Sequence, residues 1–146
     1  RDDFSLRPDA VHLMAMAAIP EASLLFEEDV GLPALAEGAR LAGLVLVDHN
    51  RVAAKQEGLL PRVVEILDHH VDERMYPAEA RVTISLVGST CSLVAAAFRE
   101  RCPGALASPT LRRLLKAGIL LDSAYLDRSK GRTTDLDEEM AEVLGG

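Results

Sequence analysis

Two stretches, Leu44-Val45-Leu46-Val47-Asp48-His49-Asn50 and Val63-Val64-Glu65-Ile66-Leu67-Asp68-His69-His70, decide how this chain folds. Each is a short β-favouring run, broken only by Glu65 in the second, that stops at an Asp-His pair, and such runs read as strands buried in a parallel sheet. Residues 51–61 lie between them, punctuated by Gly58 and Pro61. That is enough for a crossover with a helical turn or two, which makes a right-handed βαβ unit the simplest account. Both Asp-His pairs then emerge at the carboxyl edge of one sheet, where open α/β folds bind ligands.

Working outward, residues 81–86 alternate Val82, Ile84 and Leu86 and predict a third strand. It runs into Val87-Gly88-Ser89-Thr90, a tight turn with an N-cap, before a helix over 91–101 that Pro103 and Gly104 end. Pro109 opens a second long helix, with Leu111, Leu114, Leu115, Gly118, Ile119 and Leu121 at helical spacing, ending at Asp122. Residues 125–134 are polar and basic and read as a loop; an acidic helix follows from Asp135 to Leu144. Upstream, residues 8–18 predict a helix with Pro8 in its first turn and Pro20 as its stop. Residues 22–26 are expected to form a brief strand, and residues 32–39 a helix. The expected fold is α/β, a parallel-stranded sheet flanked by helices, in one domain over 1–146.

Composition narrows the function. The 146 residues are 49% apolar, enough for one core, and only 3% aromatic with no Trp. The formal charge of −7 argues against a broad basic surface for nucleic acid, although acidity also serves solubility alone. Cys91 and Cys102 stand apart from any CxxC pair or zinc-type His spacing and are expected to be buried small hydrophobes. No membrane-length apolar run or signal peptide is evident, so a cytoplasmic location with no membrane partner is expected.

Carboxylates and imidazoles without thiolates suit manganese, magnesium or cobalt better than a structural zinc. Asp48 alone reads as a turn cap. Asp68-His69-His70, three polar residues directly after an apolar strand, reads as a site, and two such endings on adjacent strands strengthen each other.

The order Asp48-His49-Asn50, Asp68-His69-His70, Gly88-Ser89-Thr90 and Leu120-Leu121-Asp122-Ser123 resembles motifs two to four of the DHH phosphoesterases. The resemblance spans roughly residues 8–140. It implies a DHH phosphoesterase core holding two divalent ions per complete site, Mn2+ or Mg2+ with Co2+ as a further option. Asp48 would bridge the ions, His69 and Asp122 would bind them, Asp68 would orient the histidines, and His70 would contact substrate phosphate. Gly88 and Ser89 would donate backbone N–H groups to a phosphate, with plain capping as the alternative reading. Arg128, Lys130 and Arg132 would bind phosphate, or remain solvated. His49 and Asn50 would shape the site or be structural.

Within that superfamily, residues 19–29 and Lys130-Gly131-Arg132-Thr133-Thr134 are similar to prune-like proteins. This implies hydrolysis of phosphoanhydride bonds in inorganic polyphosphate, an exopolyphosphatase activity. Inorganic pyrophosphate is the alternative substrate, because Asp-His-Asn also occurs in family II pyrophosphatases. A non-catalytic interaction protein is the alternative from another class, and a homodimer stays open. A nuclease ranks lower: Phe4, Phe26, Tyr76, Phe98 and Tyr125 are too scattered for base stacking. The family's first aspartate-rich motif has no counterpart, since Asp2, Asp3 and Asp9 follow no apolar strand. Its carboxy-terminal substrate domain has none either, so the chain is expected to be a fragment with little activity alone.

Overall fold

The computed structural model describes residues 2–37 and 41–145. They fall into two compact units, Arg1–Leu32 and Pro33–Gly146. The first holds short helices: α1 (Asp2–Ser5), α2 (Pro8–Met16) and α3 (Glu27–Val30). Pro8 sits in the first turn of α2, where its missing N–H costs nothing, and the Phe4 and Phe26 rings meet edge-on with centroids 6.0 Å apart. The strand expected over residues 22–26 does not form. Glu21–Ser23 is a 3₁₀ turn, and the extended residues after it pair with no described strand, leaving Leu25 83% exposed. An apolar run is only a strand when a neighbour supplies its hydrogen bonds. Gly31 turns left-handed at φ +58 and ends α3. Then α4 (Leu32–Glu37) fills most of the expected helix, whose remainder lies outside the described residues.

The second unit is built on three parallel strands, β1 (Leu44–Val47), β2 (Val63–Asp68) and β3 (Arg81–Ile84), in the order β1-β2-β3. Leu46 pairs with Ile66, and Ile66 with Val82. The crossover between β1 and β2 is a 3₁₀ stretch, Ala54–Arg62, with Pro61 inside it. Leu46, Val52, Val63 and Ile66 form a core against the sheet. Full burial of a side chain such as Ile66 is worth about 1.5–3 kcal/mol. The third strand stops two residues short of the expected Leu86, which is 85% exposed.

Three helices, α5 (Thr90–Arg101), α6 (Pro109–Asp122) and α7 (Asp135–Val143), share a second core of Ala95, Leu115, Ile119, Met140, Ala141 and Leu144. Gly118 lets α6 approach α5, since a Cβ there would strike the Cys91 sulfur. Cys91 is half-buried as part of this packing, but Cys102 is exposed, contrary to expectation, because it caps α5 where Pro103 turns the chain away. After α6 the chain reverses hand: Ala124, Tyr125 and Leu126 have φ of 51, 64 and 62. Ser123 braces the reversal, its hydroxyl donating to the Ile119 carbonyl (2.6 Å) and accepting from the Leu126 N–H (3.1 Å). Among the described residues no helix is long and apolar enough to cross a membrane.

Candidate metal centre

Parallel pairing brings Asp48 and Asp68 to the same sheet edge. Asp48 continues the ladder by donating its N–H to the Leu67 carbonyl (3.0 Å), then turns left-handed at φ 66, a conformation Asp tolerates better than most residues. Its side chain stands 63% exposed, and Oδ1 accepts the Thr90 hydroxyl at 2.9 Å.

His69 Nε2 lies 3.4 Å from Asp48 Oδ1, while His69 Nδ1 lies 3.0 Å from the Val87 carbonyl. A carbonyl only accepts, so Nδ1 carries a proton and Nε2 is the ring atom turned toward the carboxylate oxygen. With no proton on Nε2, this imidazole nitrogen and the carboxylate oxygen are close enough to share a cation. His70 closes the group: Asp48, His69 and His70 each offer a ligand atom within 4.8 Å of the others. The donor set of one carboxylate and two imidazoles fits a divalent ion.

Asp68 is entirely buried and works differently. Its Oδ2 accepts from Asn50 Nδ2 (2.5 Å), and its Oδ1 from His70 Nδ1 (2.8 Å) and the N–H groups of His69 (2.8 Å) and His70 (3.3 Å). Burial pushes its carboxyl up, but the hydrogen bonds from His70 and Asn50 outweigh that and hold it below the ordinary range. The same bond to Asp68 raises His70, against the smaller effect of burial. Asn50 is buried and ties the two strand ends together, donating also to the Val71 carbonyl (3.0 Å) and accepting the Glu73 N–H (2.9 Å). His49 is exposed, its Nδ1 2.9 Å from the Val47 carbonyl.

A cavity of about 660 Å³ opens on this group and is lined also by Leu86, Gly88, Asp122, Arg132 and Thr134. Asp122 therefore reaches the same cleft as His69. It stands outside the three-residue cluster, its Oδ2 accepting the Ser89 hydroxyl at 2.5 Å. Ser89 is buried, and the N–H groups of Gly88 and Ser89 already donate to Asp137, at 2.8 and 3.2 Å. Of the basic loop, Arg132 lines the cavity. Arg128 is drawn to α7 instead, pairing with Glu138 (2.7 Å) and Asp135 (2.6 Å), and Lys130 is exposed beyond the lining.

Sequence reasoning missed Thr90 and Asp137. Thr134-x-x-Asp137 does carry a visible capping pattern, but its reach to Gly88 and Ser89 spans nearly fifty residues and leaves no local trace.

No protein-family model matches the chain. Over 99% of its length it is similar to exopolyphosphatase PRUNE1 of Rattus norvegicus (34% identity over 144 residues), Homo sapiens (33% over 144) and Bos taurus (35% over 145). It spans 31% of the length of these relatives. Its fold matches the crystal structure of a Methanococcus jannaschii protein assigned as a family II inorganic pyrophosphatase, with TM-score 0.65 and 22% identity over 94% of this chain and 43% of that one. The fold is shared with that pyrophosphatase structure. The similarity over the whole length of this chain is to prune-like proteins of the DHH superfamily.

Proposed function

We propose that the protein carrying this chain is a cytoplasmic, metal-dependent hydrolase that releases phosphate from inorganic polyphosphate. The observation that carries this reading is the meeting of Asp48, His69, His70, Asp122 and Arg132 around one cavity. The names of the similar proteins point the same way. Asp48, His69 and Asp122 would hold divalent ions, Mn2+ or Mg2+, whose charge would polarise a phosphoryl group and acidify water.

The chain's own residues supply the rest. His70 commits Nδ1–H to Asp68, which leaves Nε2 as the atom that faces substrate. With the ions held by the other residues and this ring protonated, Nε2–H would donate to a phosphoryl oxygen as negative charge gathers there. Asp68 fixes the ring and keeps that proton in place. Arg132 meets an adjacent phosphate, and the exposed Lys130 attracts the chain at longer range, while Arg128 is neutralised by Glu138 and Asp135. Gly88 lines the cavity without adding a side chain to it. Nucleic acid does not fit the net charge of −7.

The test is phosphate release by the intact protein from long-chain polyphosphate, tripolyphosphate and pyrophosphate with Mn2+ or Mg2+. Asp48→Asn and His69→Ala are expected to lower turnover on the order of a hundredfold or more. Wild-type turnover in both variants would overturn the reading. Cleavage of pyrophosphate alone would replace polyphosphate with the shorter substrate, the one suggested by the fold neighbour.

A further inference from the structure

Asp137 is completely buried on α7, yet its carboxylate serves donors from three parts of the chain. Oδ2 accepts the N–H groups of Gly88 (2.8 Å) and Thr134 (2.8 Å) and the Thr134 hydroxyl (2.7 Å). Oδ1 accepts the Ser89 N–H (3.2 Å) and the Ser92 hydroxyl (2.5 Å). The carboxylate thus occupies the amino ends of α5 and α7 together, where unpaired N–H groups favour an anion. Burial alone would push its carboxyl up; the bonds from Ser92 and Thr134 outweigh that and keep it ionised below the ordinary range.

We propose that Asp137 is a positioning residue of the metal centre: an internal anion that clamps the Gly88-Ser89 turn to residues 132–134 and, through the Ser89 hydroxyl, aims the Asp122 carboxylate. The proposal rests on the reading of Asp122 as a metal ligand. The chain of contacts is short. Asp137 holds the Ser89 N–H, and the single hydroxyl hydrogen of Ser89 goes to Asp122 at 2.5 Å while its oxygen accepts the Cys91 N–H at 3.2 Å. The turn and the Arg132 segment touch directly: a Cβ on Gly88 would strike the Arg132 carbonyl and come within 2.8 Å of Asp137 Oδ2. A second consequence concerns substrate. The amino end of α5 already has its anion, so a phosphate in the cavity is met by His70, Arg132 and the ions rather than by the Gly88 and Ser89 N–H groups.

Ser92 provides a graded comparison, because it makes one of the bonds to the same carboxylate from inside α5 without lining the cavity. In the intact protein, Mn2+ affinity is measured by calorimetry, kcat and KM by phosphate release from tripolyphosphate, and stability by thermal unfolding. Asp137→Asn and Ser89→Ala are each expected to weaken Mn2+ binding about tenfold, the usual effect of losing a group that orients a ligand. Each should lower kcat more than it changes KM. Because both act through one hydrogen-bond chain, the double variant should be no worse than the weaker-binding single one. Ser92→Ala, which takes one bond from the carboxylate and leaves its link to the Ser89 N–H, should lower the thermal midpoint and weaken Mn2+ binding less than Asp137→Asn or Ser89→Ala.

The proposal is overturned if Asp137→Asn binds Mn2+ as tightly as wild type, if it loses the same factor as Ser92→Ala, or if the losses in the double variant add. If Asp137→Asn does not fold, Ser89→Ala against Ser92→Ala decides, and equal Mn2+ affinities overturn it. Absence of phosphate release by the wild type would defeat the proposed function, and the Mn2+ comparison would still score Asp137.

Discussion

The ends of β1 and β2 carry the same two letters, Asp-His, in opposite surroundings. Asp68 is fully buried and answers four donors, whereas Asp48 is largely exposed and accepts one hydroxyl. Position in the sheet makes the difference. β2 is central, so whatever ends it is enclosed by both neighbours, while β1 is an edge strand in this sheet. An enclosed carboxylate becomes scaffold because leaving its donors unpaired is expensive, and an open one keeps oxygens to offer a ligand.

The strongest way to break the contrast is to delete each carboxylate. Asp68→Ala would strand the Asn50 amide and two strand-end N–H groups, and should cost about 3 kcal/mol in urea unfolding. Asp48→Asn, on an exposed side chain, should change the urea midpoint little and Mn2+ affinity greatly. Equal stability losses would erase the distinction between the two ends.

Gly88→Ala comes next. The new methyl would meet the Arg132 carbonyl and Asp137 with backbone on one side, and overpacking of that kind costs about 1–3 kcal/mol. Thermal unfolding would show it, together with a loss of Mn2+ affinity if the turn shifts away from Asp122.

Acid titration sharpens the comparison further. Asp68 is held below the ordinary carboxylate range of 3.8, so its contribution to stability is complete above that value and is lost as pH falls through its lower native value. His70 is raised above 6.5, so its share is complete below 6.5 and is lost as pH rises through its native value. The Asp68-His70 pair is therefore strongest between those limits. Urea midpoints of metal-free wild type minus Asp68→Asn, measured from pH 2 to 9 in steps of about one unit, should trace a plateau with two falling sides. A flat difference would show that the pair does not couple to folding.

The smallest effect is expected from Thr90→Val, which removes only the hydroxyl on Asp48, worth about 0.5–1.5 kcal/mol. Calorimetry should find Mn2+ bound several-fold more weakly, less than the roughly tenfold to hundredfold loss usual for ligand-orienting contacts.

Much of this arrangement is legible in the sequence because it depends on local pattern. Both apolar runs ending in Asp-His, the Pro109 helix start and the Ser89 cap use residues near one another in the chain, and each formed as expected. The strand over residues 22–26 failed because pairing is not local. For the same reason nothing around Asp137 in the sequence announces a partner at Gly88, and nothing around Arg128 shows that α7 claims it. Basic residues in one loop look alike until the fold decides which of them face the cleft.

The reversal of hand at Ala124, Tyr125 and Leu126 bears on how this segment can drift in sequence. None of the three is a residue that adopts the left-handed region readily, and each holds it at roughly 1–2 kcal/mol over the right-handed form. Exchange there is lopsided: Gly, Asn and Asp relieve the backbone, whereas Val, Ile and Thr add crowding at Cβ. A library randomised at the exposed Ala124 and Tyr125 and selected by heat should enrich the first group, while Leu126, packed against the helical core, should be kept, so the stretch that carries the chain from Asp122 toward Arg132 is also where stabilising substitutions lie closest to hand.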